Sequence, residues 1–166
     1  MDRTVNSEGS EAHARYKHRR GRDFWSTALL AAGLLSICGT ATAQTLTACE
    51  QSVNYKPQPA DPQVPAPFQA FLGVWVGSWD FGLCGAFVVE SVTADGTVRL
   101  LYANGSLGGQ YAIKAGNRRY TGKINGKTLT ASNQSGSIEL TLTSPSQLAG
   151  KFTAQSNRSS GTFKRQ

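Results

Sequence analysis

The sequence predicts an all-β protein: an antiparallel up-and-down β-barrel of about eight strands, preceded by a signal peptide and a Pro-rich arm. Three observations carry this. Apolar residues recur at every second position from Phe71 onward. Short polar connections containing Gly, Asn or Asp separate these runs. No helical period of useful length appears. The 166 residues include 18 Gly and are only 16% charged. That composition favours turns and strands and differs from that of highly charged disordered chains.

Residues 1–43 read as a secretory signal peptide. A basic stretch ends in Lys17-His18-Arg19-Arg20-Gly21-Arg22, an uncharged run follows from Ala28 to Cys38, and Ala41-Thr42-Ala43 supplies small residues at the −3 and −1 positions. The run is shorter than the ~20 residues of a membrane span, so the protein is not expected to cross a bilayer. Arg19-Arg20 also permits a twin-arginine reading and Cys38 a lipoprotein reading. Arg22 and Ile37 occupy the positions where those signals want an apolar and a small residue, respectively. The expected location is periplasmic or secreted, in a bacterial cell with a Sec-type signal.

Residues 44–69 contain Pro57, Pro59, Pro62, Pro65 and Pro67. Proline lacks a backbone donor and disfavours helix in the residue before it, so this stretch is expected as an extended arm or linker. The barrel domain then occupies residues 70–166. Strands are expected near 71–79, 84–93, 97–103, 109–115, 118–124, 127–132, 136–143, 147–154 and 160–165. Tyr120, Gly122 and Ile124 alternate with Arg119, Thr121 and Lys123, and Asn125-Gly126 signals a type I′ hairpin. Ile138, Leu140 and Leu142 alternate with Ser137, Glu139 and Thr141; Leu148, Gly150 and Phe152 alternate with Ala149, Lys151 and Thr153. One buried and one wet face per strand implies antiparallel pairing. Closing the sheet disposes of its edges; a two-layer sandwich is the competing arrangement.

Gly73-Val74-Trp75 opens the first of these strands, and Phe87-Val88-Val89-Glu90 leads to Asp95-Gly96-Thr97. This G-x-W start resembles the calycin superfamily of lipocalins, avidins and barrel-shaped bacterial metalloprotease inhibitors, over some 30 residues. The resemblance implies a structural role for Trp75, plugging the closed end of a barrel. Avidin-type pockets use several later tryptophans, whereas no Trp follows Trp79.

After Ala43 the chain has no His and no Met, and its only cysteines are Cys49 and Cys84. An even pair in an oxidising compartment reads as a disulfide. Without His or free thiol, Ser-His-Asp triads, Cys-His pairs and His-ligated metal sites are excluded. Carboxylate chemistry remains, with Asp80, Glu90 and Asp95 as candidates. Asp80 is placed at a strand end, Asp95 in a turn, and Glu90 facing solvent by its alternation with Val89.

Trp79 shares a strand face with Trp75. Tyr102, Tyr111 and Tyr120 fall on inward faces of consecutive strands. These four are the candidate ligand-binding residues, since aromatic walls with hydroxyl tips can orient a small molecule. Residues 110–166 hold nine basic residues and a single acid, Glu139. Lys114, Arg118, Arg119, Lys123 and Lys127 form a candidate basic patch that would attract an anionic surface. Nucleic acid is not expected, because no outward aromatics interleave with these cations.

The function expected from these residues is that of an exported, non-catalytic binding module. It would hold a small apolar or amphipathic ligand or dock on an envelope component, with no cofactor and no metal. One alternative is a protease inhibitor or protein-docking barrel presenting its N-terminal arm. A second is a carboxylate-based hydrolase using Asp80 and Glu90.

Overall fold

The computed structural model describes residues 42–166, apart from Ala60, Gln110, Tyr111, Ser135 and Ser156. The signal-peptide reading therefore concerns residues almost wholly outside those described, and so does the Tyr111 candidate.

The chain forms a closed, all-antiparallel barrel of eight strands. They are β3 (Gly73–Trp79), β4 (Cys84–Val92), β5 (Thr97–Asn104), β6 (Gly116–Asn125), β7 (Thr128–Asn133), β8 (Gly136–Ser144), β9 (Gln147–Ala154) and β10 (Asn157–Arg165). Each pairs with its neighbour in sequence, and β10 returns to pair with β3, placing Phe163 opposite Gly77. That closing seam needs Gly77: a Cβ there would lie 1.9 Å from the Thr162 carbonyl oxygen. The barrel sheet is left with no edge, which answers the edge problem posed by so many short strands.

Alternation decides what each strand buries. Trp75, Phe87, Leu100, Leu129, Leu140, Leu148 and Phe163 point inward and are fully buried. Outward positions of β6 to β9 include Thr121, Lys123, Thr130, Glu139 and Lys151, and all but the half-buried Glu139 are exposed. This apolar-in, polar-out pattern is the inverse of a membrane barrel. Among the described residues no helix is long and apolar enough to cross a membrane.

Several expectations are corrected. The stretch 44–69 is not simply an extended arm. Its first part folds into a hairpin, β1 (Gln44–Ala48) and β2 (Gln51–Tyr55), turned by Cys49 and Glu50 at φ 53° and 61°. Positive φ at both central residues is the geometry of a I′ turn. Cys49 is bonded to Cys84 at the start of β4, with Cα atoms 5.3 Å apart. Glu50 accepts hydrogen bonds from Ser106 Oγ (2.7 Å) and Ser106 N (3.3 Å). Val53 and Tyr55 are buried against Ala86, Val88, Leu101 and Ala103 on the outer face of β4 and β5. The hairpin thus gives this side of the barrel a second core.

The prolines that follow build a cap. Val64 is buried, α1 (Ala66–Gln69) carries Pro67 in its first turn, and Phe68 and Phe71 pack onto the interior cluster. Gln69 Nε2 donates to Val64 O at 2.7 Å, tying the cap together.

The strand expected over 109–115 is absent among the described residues there. Instead the β5–β6 connection makes a single bridge between Leu107 and Ile113. Gly109 and Ala112, at φ 68° and 45°, interrupt any extended run. The Asn-Gly turn is also shifted by one residue. Asn125 stays in β6 opposite Thr128, and of the turn pair Gly126-Lys127 only Gly126 has positive φ (59°), as in a II′ turn.

Candidate functional site

The two ends of the barrel differ. One end is sealed. Trp75, fully buried, donates its indole N–H to Phe71 O at 2.9 Å. Arg165, near the end of β10, lies over the Trp75 ring at 4.1 Å. Its guanidinium donates to Leu72 O and Ala70 O, each at 2.5 Å, and to Pro145 O at 3.1 Å. One planar cation therefore ties the last strand to the segment entering the first. Burial lowers its pKa, but a guanidinium stays charged at any ordinary pH.

Above this seal, aromatic rings fill the axis. Phe163 meets Phe87 at 4.8 Å and Trp79 at 5.2 Å edge-on, while Phe87 stacks on Tyr102 at 4.8 Å. These rings lie directly on backbone. A Cβ at Gly150 would sit 2.7 Å from the Phe163 ring.

At the other end the inward residues become small or polar: Gly85 on β4, and Ser159 and Gly161 on β10. A cavity of about 170 Å³ remains there. Trp79, Tyr102 and Tyr120 line it together, joined by Phe81, Ile113 and Phe152. Three of the four ligand-binding candidates thus converge. Trp79 Nε1 donates to Tyr102 Oη at 2.9 Å, leaving the phenol hydrogen available to a ligand. Burial raises the Tyr102 pKa from the ordinary phenol value, against the lowering effect of the Trp79 bond, so the group is neutral at physiological pH. Ser159 Oγ is buried with no hydrogen-bond partner among the described residues. Leaving such a group unpaired costs about 1–3 kcal/mol.

Three polar residues of the lining, Arg118, Asn104 and Ser159, are not among the sequence candidates for a ligand site. Arg118 was assigned only to the basic patch, yet it shares the inward parity of Tyr120 and lies opposite Tyr102. That parity was the available signal. Asn104 and Ser159 carried no distinguishing pattern. A wider vestibule of about 700 Å³ adjoins the cavity through Phe81, Ile113, Phe152 and Ser159, and adds Asp80, Asn157 and Arg158.

The rest of the basic patch is dispersed. Arg119 donates to Asn54 O at 2.9 Å and pairs with Glu90 at 3.4 Å. Lys123 pairs with Asp95 at 2.7 Å, and that contact is the main cause of the depressed Asp95 pKa. Lys114 and Lys127 are exposed in connections.

Glu90 corrects the solvent-facing expectation, being only 6% exposed. A bulge between Val89 and Ser91 makes it the extra residue of β4, and the hairpin and Gln58, whose N–H donates to Glu90 O at 2.8 Å, lie over it. Glu90 lines a groove of about 410 Å³ beside the hairpin, with Lys56, Arg99 and Arg119. Asp80 stands elsewhere, at the open end. It accepts from Ser160 N and Oγ, both at 2.9 Å, and the backbone bond is the largest cause of its lowered pKa. The two carboxylates line separate clefts and do not form a glycosidase pair.

No protein family matches the sequence, and no curated protein sequence is similar to it. A solved structure of a redesigned β-barrel is similar in fold, with a TM-score of 0.46 and 17% identity, covering 60% of this chain and 95% of that one. That likeness concerns fold alone.

Proposed function

We propose that this chain is an exported, non-catalytic binding module of calycin type that holds a small apolar or amphipathic molecule in the open end of its barrel. The carrying observation is the convergence of Trp79, Tyr102 and Tyr120 on one cavity above an otherwise filled interior. A cavity of about 170 Å³ is below the ~300 Å³ at which drug-sized pockets begin. It is close to the roughly 150 Å³ that encloses one benzene in an engineered apolar cavity of another protein. The enclosed part of the ligand is therefore a single ring or a short branched chain, with any remainder in the vestibule.

Export is supported by the signal-like segment 1–43 and by the Cys49–Cys84 disulfide, since such bonds persist in oxidising compartments. The calycin reading is supported by the closed end, where Trp75 of the G-x-W start is the plug. A presented inhibitory arm is less well supported, because Val53, Tyr55 and Val64 of that segment are already buried against the barrel.

Calorimetric titration of the protein with p-cresol and toluene tests the reading. Saturable binding that Tyr102→Ala weakens at least about tenfold, one lost ring contact plus one hydrogen bond, supports it. Absence of binding by both compounds at millimolar concentration overturns it.

A further inference from the structure

We infer that the ligand of the open-end cavity, on the binding reading given above, is a small aromatic monocarboxylate, with Arg118 receiving the carboxylate. The shape of the cavity sets the apolar half. Trp79, Phe81, Tyr120 and Phe152 offer ring faces and edges around a space the size of one ring. The charges set the other half. Among the described residues neither Asp nor Glu lines the cavity, whereas Arg118 does. Arg118 stands directly across the β5–β6 ladder from Tyr102, on the same inward face.

Apart from Asn104, whose amide N–H groups go to Gly105 O and Lys114 O, the polar side chains at this level can donate. Tyr102 Oη already accepts from Trp79, so its own hydrogen points onward. Ser159 Oγ is buried and lacks a partner among the described residues, and its hydroxyl can donate. A guanidinium, a phenol and a hydroxyl match the two oxygens of a carboxylate, which accepts only. The vestibule has one acid, the ionised Asp80, which faces the two cations Arg158 in the vestibule and Arg118 in the adjoining cavity, so positive charge is in excess at the mouth. A neutral aromatic would gain no charge-assisted hydrogen bond from the Arg118 guanidinium, and an aromatic amine would meet a cation.

The test compares benzoate with benzamide, which has the same ring and no charge, by calorimetry at low salt. Benzoate is expected to bind at least about tenfold tighter. Arg118→Gln should abolish that difference, while Lys127→Gln, an exposed change outside the cavity, should preserve it. Thermal unfolding of each variant confirms that it is folded. Equal affinity for the two compounds, or a benzoate preference that survives Arg118→Gln, overturns the carboxylate assignment and leaves the cavity reading standing. Failure of both compounds and of p-cresol to bind overturns the two together.

Discussion

The two ends of this barrel are built from the same alternating strands and reach opposite results. At the closed end large inward side chains such as Trp75, Val98, Ile124, Leu129 and Leu148 fill the barrel, and the polar groups of the seal are paired. Trp75 donates to Phe71 O, and Arg165 covers the ring while bonding three carbonyls. At the open end small residues replace large ones, a hydroxyl is left without a partner among the described residues, and aromatic rings stand around a void. The first arrangement maximises burial and hydrogen-bond satisfaction. The second gives up packing where a ligand would complete it. On the proposed binding reading, stability and recognition are segregated along the barrel axis.

Substitutions should follow that division. The largest effect is expected at the seal. Trp75→Ala removes a fully buried indole and its hydrogen bond, and should cost ~3–5 kcal/mol in denaturant unfolding. A variant as stable as the parent would break the contrast. Next comes the outer hairpin, pinned by the disulfide. Replacing Cys49 and Cys84 together with Ala should cost ~3–4 kcal/mol in the chain-entropy view of a 35-residue separation. Gly150→Ala probes the middle of the axis, where a methyl group would press on the Phe163 ring; about 1–3 kcal/mol is expected. Tyr102→Phe, at the open end, removes only the acceptor of the Trp79 bond, and should cost about 0.5–1.5 kcal/mol.

The smallest effect is a pH dependence. Asp80 and Asp95 both have folded-state pKa values below the ordinary carboxylate value, through Ser160 and Lys123 respectively. A depressed carboxyl contributes stability that is complete above the unfolded pKa, about 4, and lost as pH falls through the folded value. Both groups are fully exposed, so the contribution is small. Melting temperature recorded from pH 7 to pH 2 should fall less steeply in Asp80→Asn than in the parent. An identical slope would remove the Asp80–Ser160 latch from the account.

Much of this architecture was legible in the sequence because alternation is a strong signal wherever one strand face is wet. Strands β6 to β10 are of that kind, and Tyr102 and Tyr120 could be placed inward by parity alone. Strand β4 is different: eight of its nine residues are buried, Gly85 to Val92 without a break. Such a run announces a strand covered on both faces, yet nothing in it names the cover. The cover is the hairpin Gln44–Tyr55, overshadowed by the prolines after it although Leu46, Val53 and Tyr55 sit at alternating places within their own strands. Glu90 does face outward, as its alternation with Val89 says, and is buried because the hairpin covers that outer face, which nothing in β4 itself announces. Arg118 was legible by parity but was read as charge, a reminder that a cation beside an inward tyrosine has two possible faces.

The contrast between the ends is tested most directly by following tryptophan indole N–H signals in a nitrogen-15 NMR spectrum during titration with benzoate. Trp79 donates to a cavity-lining phenol, while Trp75 lies in the seal at the far end. The account requires a saturable shift of the Trp79 indole signal with the Trp75 signal unmoved. A Trp79 signal that stays in place at saturating benzoate, or a shift confined to Trp75, would contradict it.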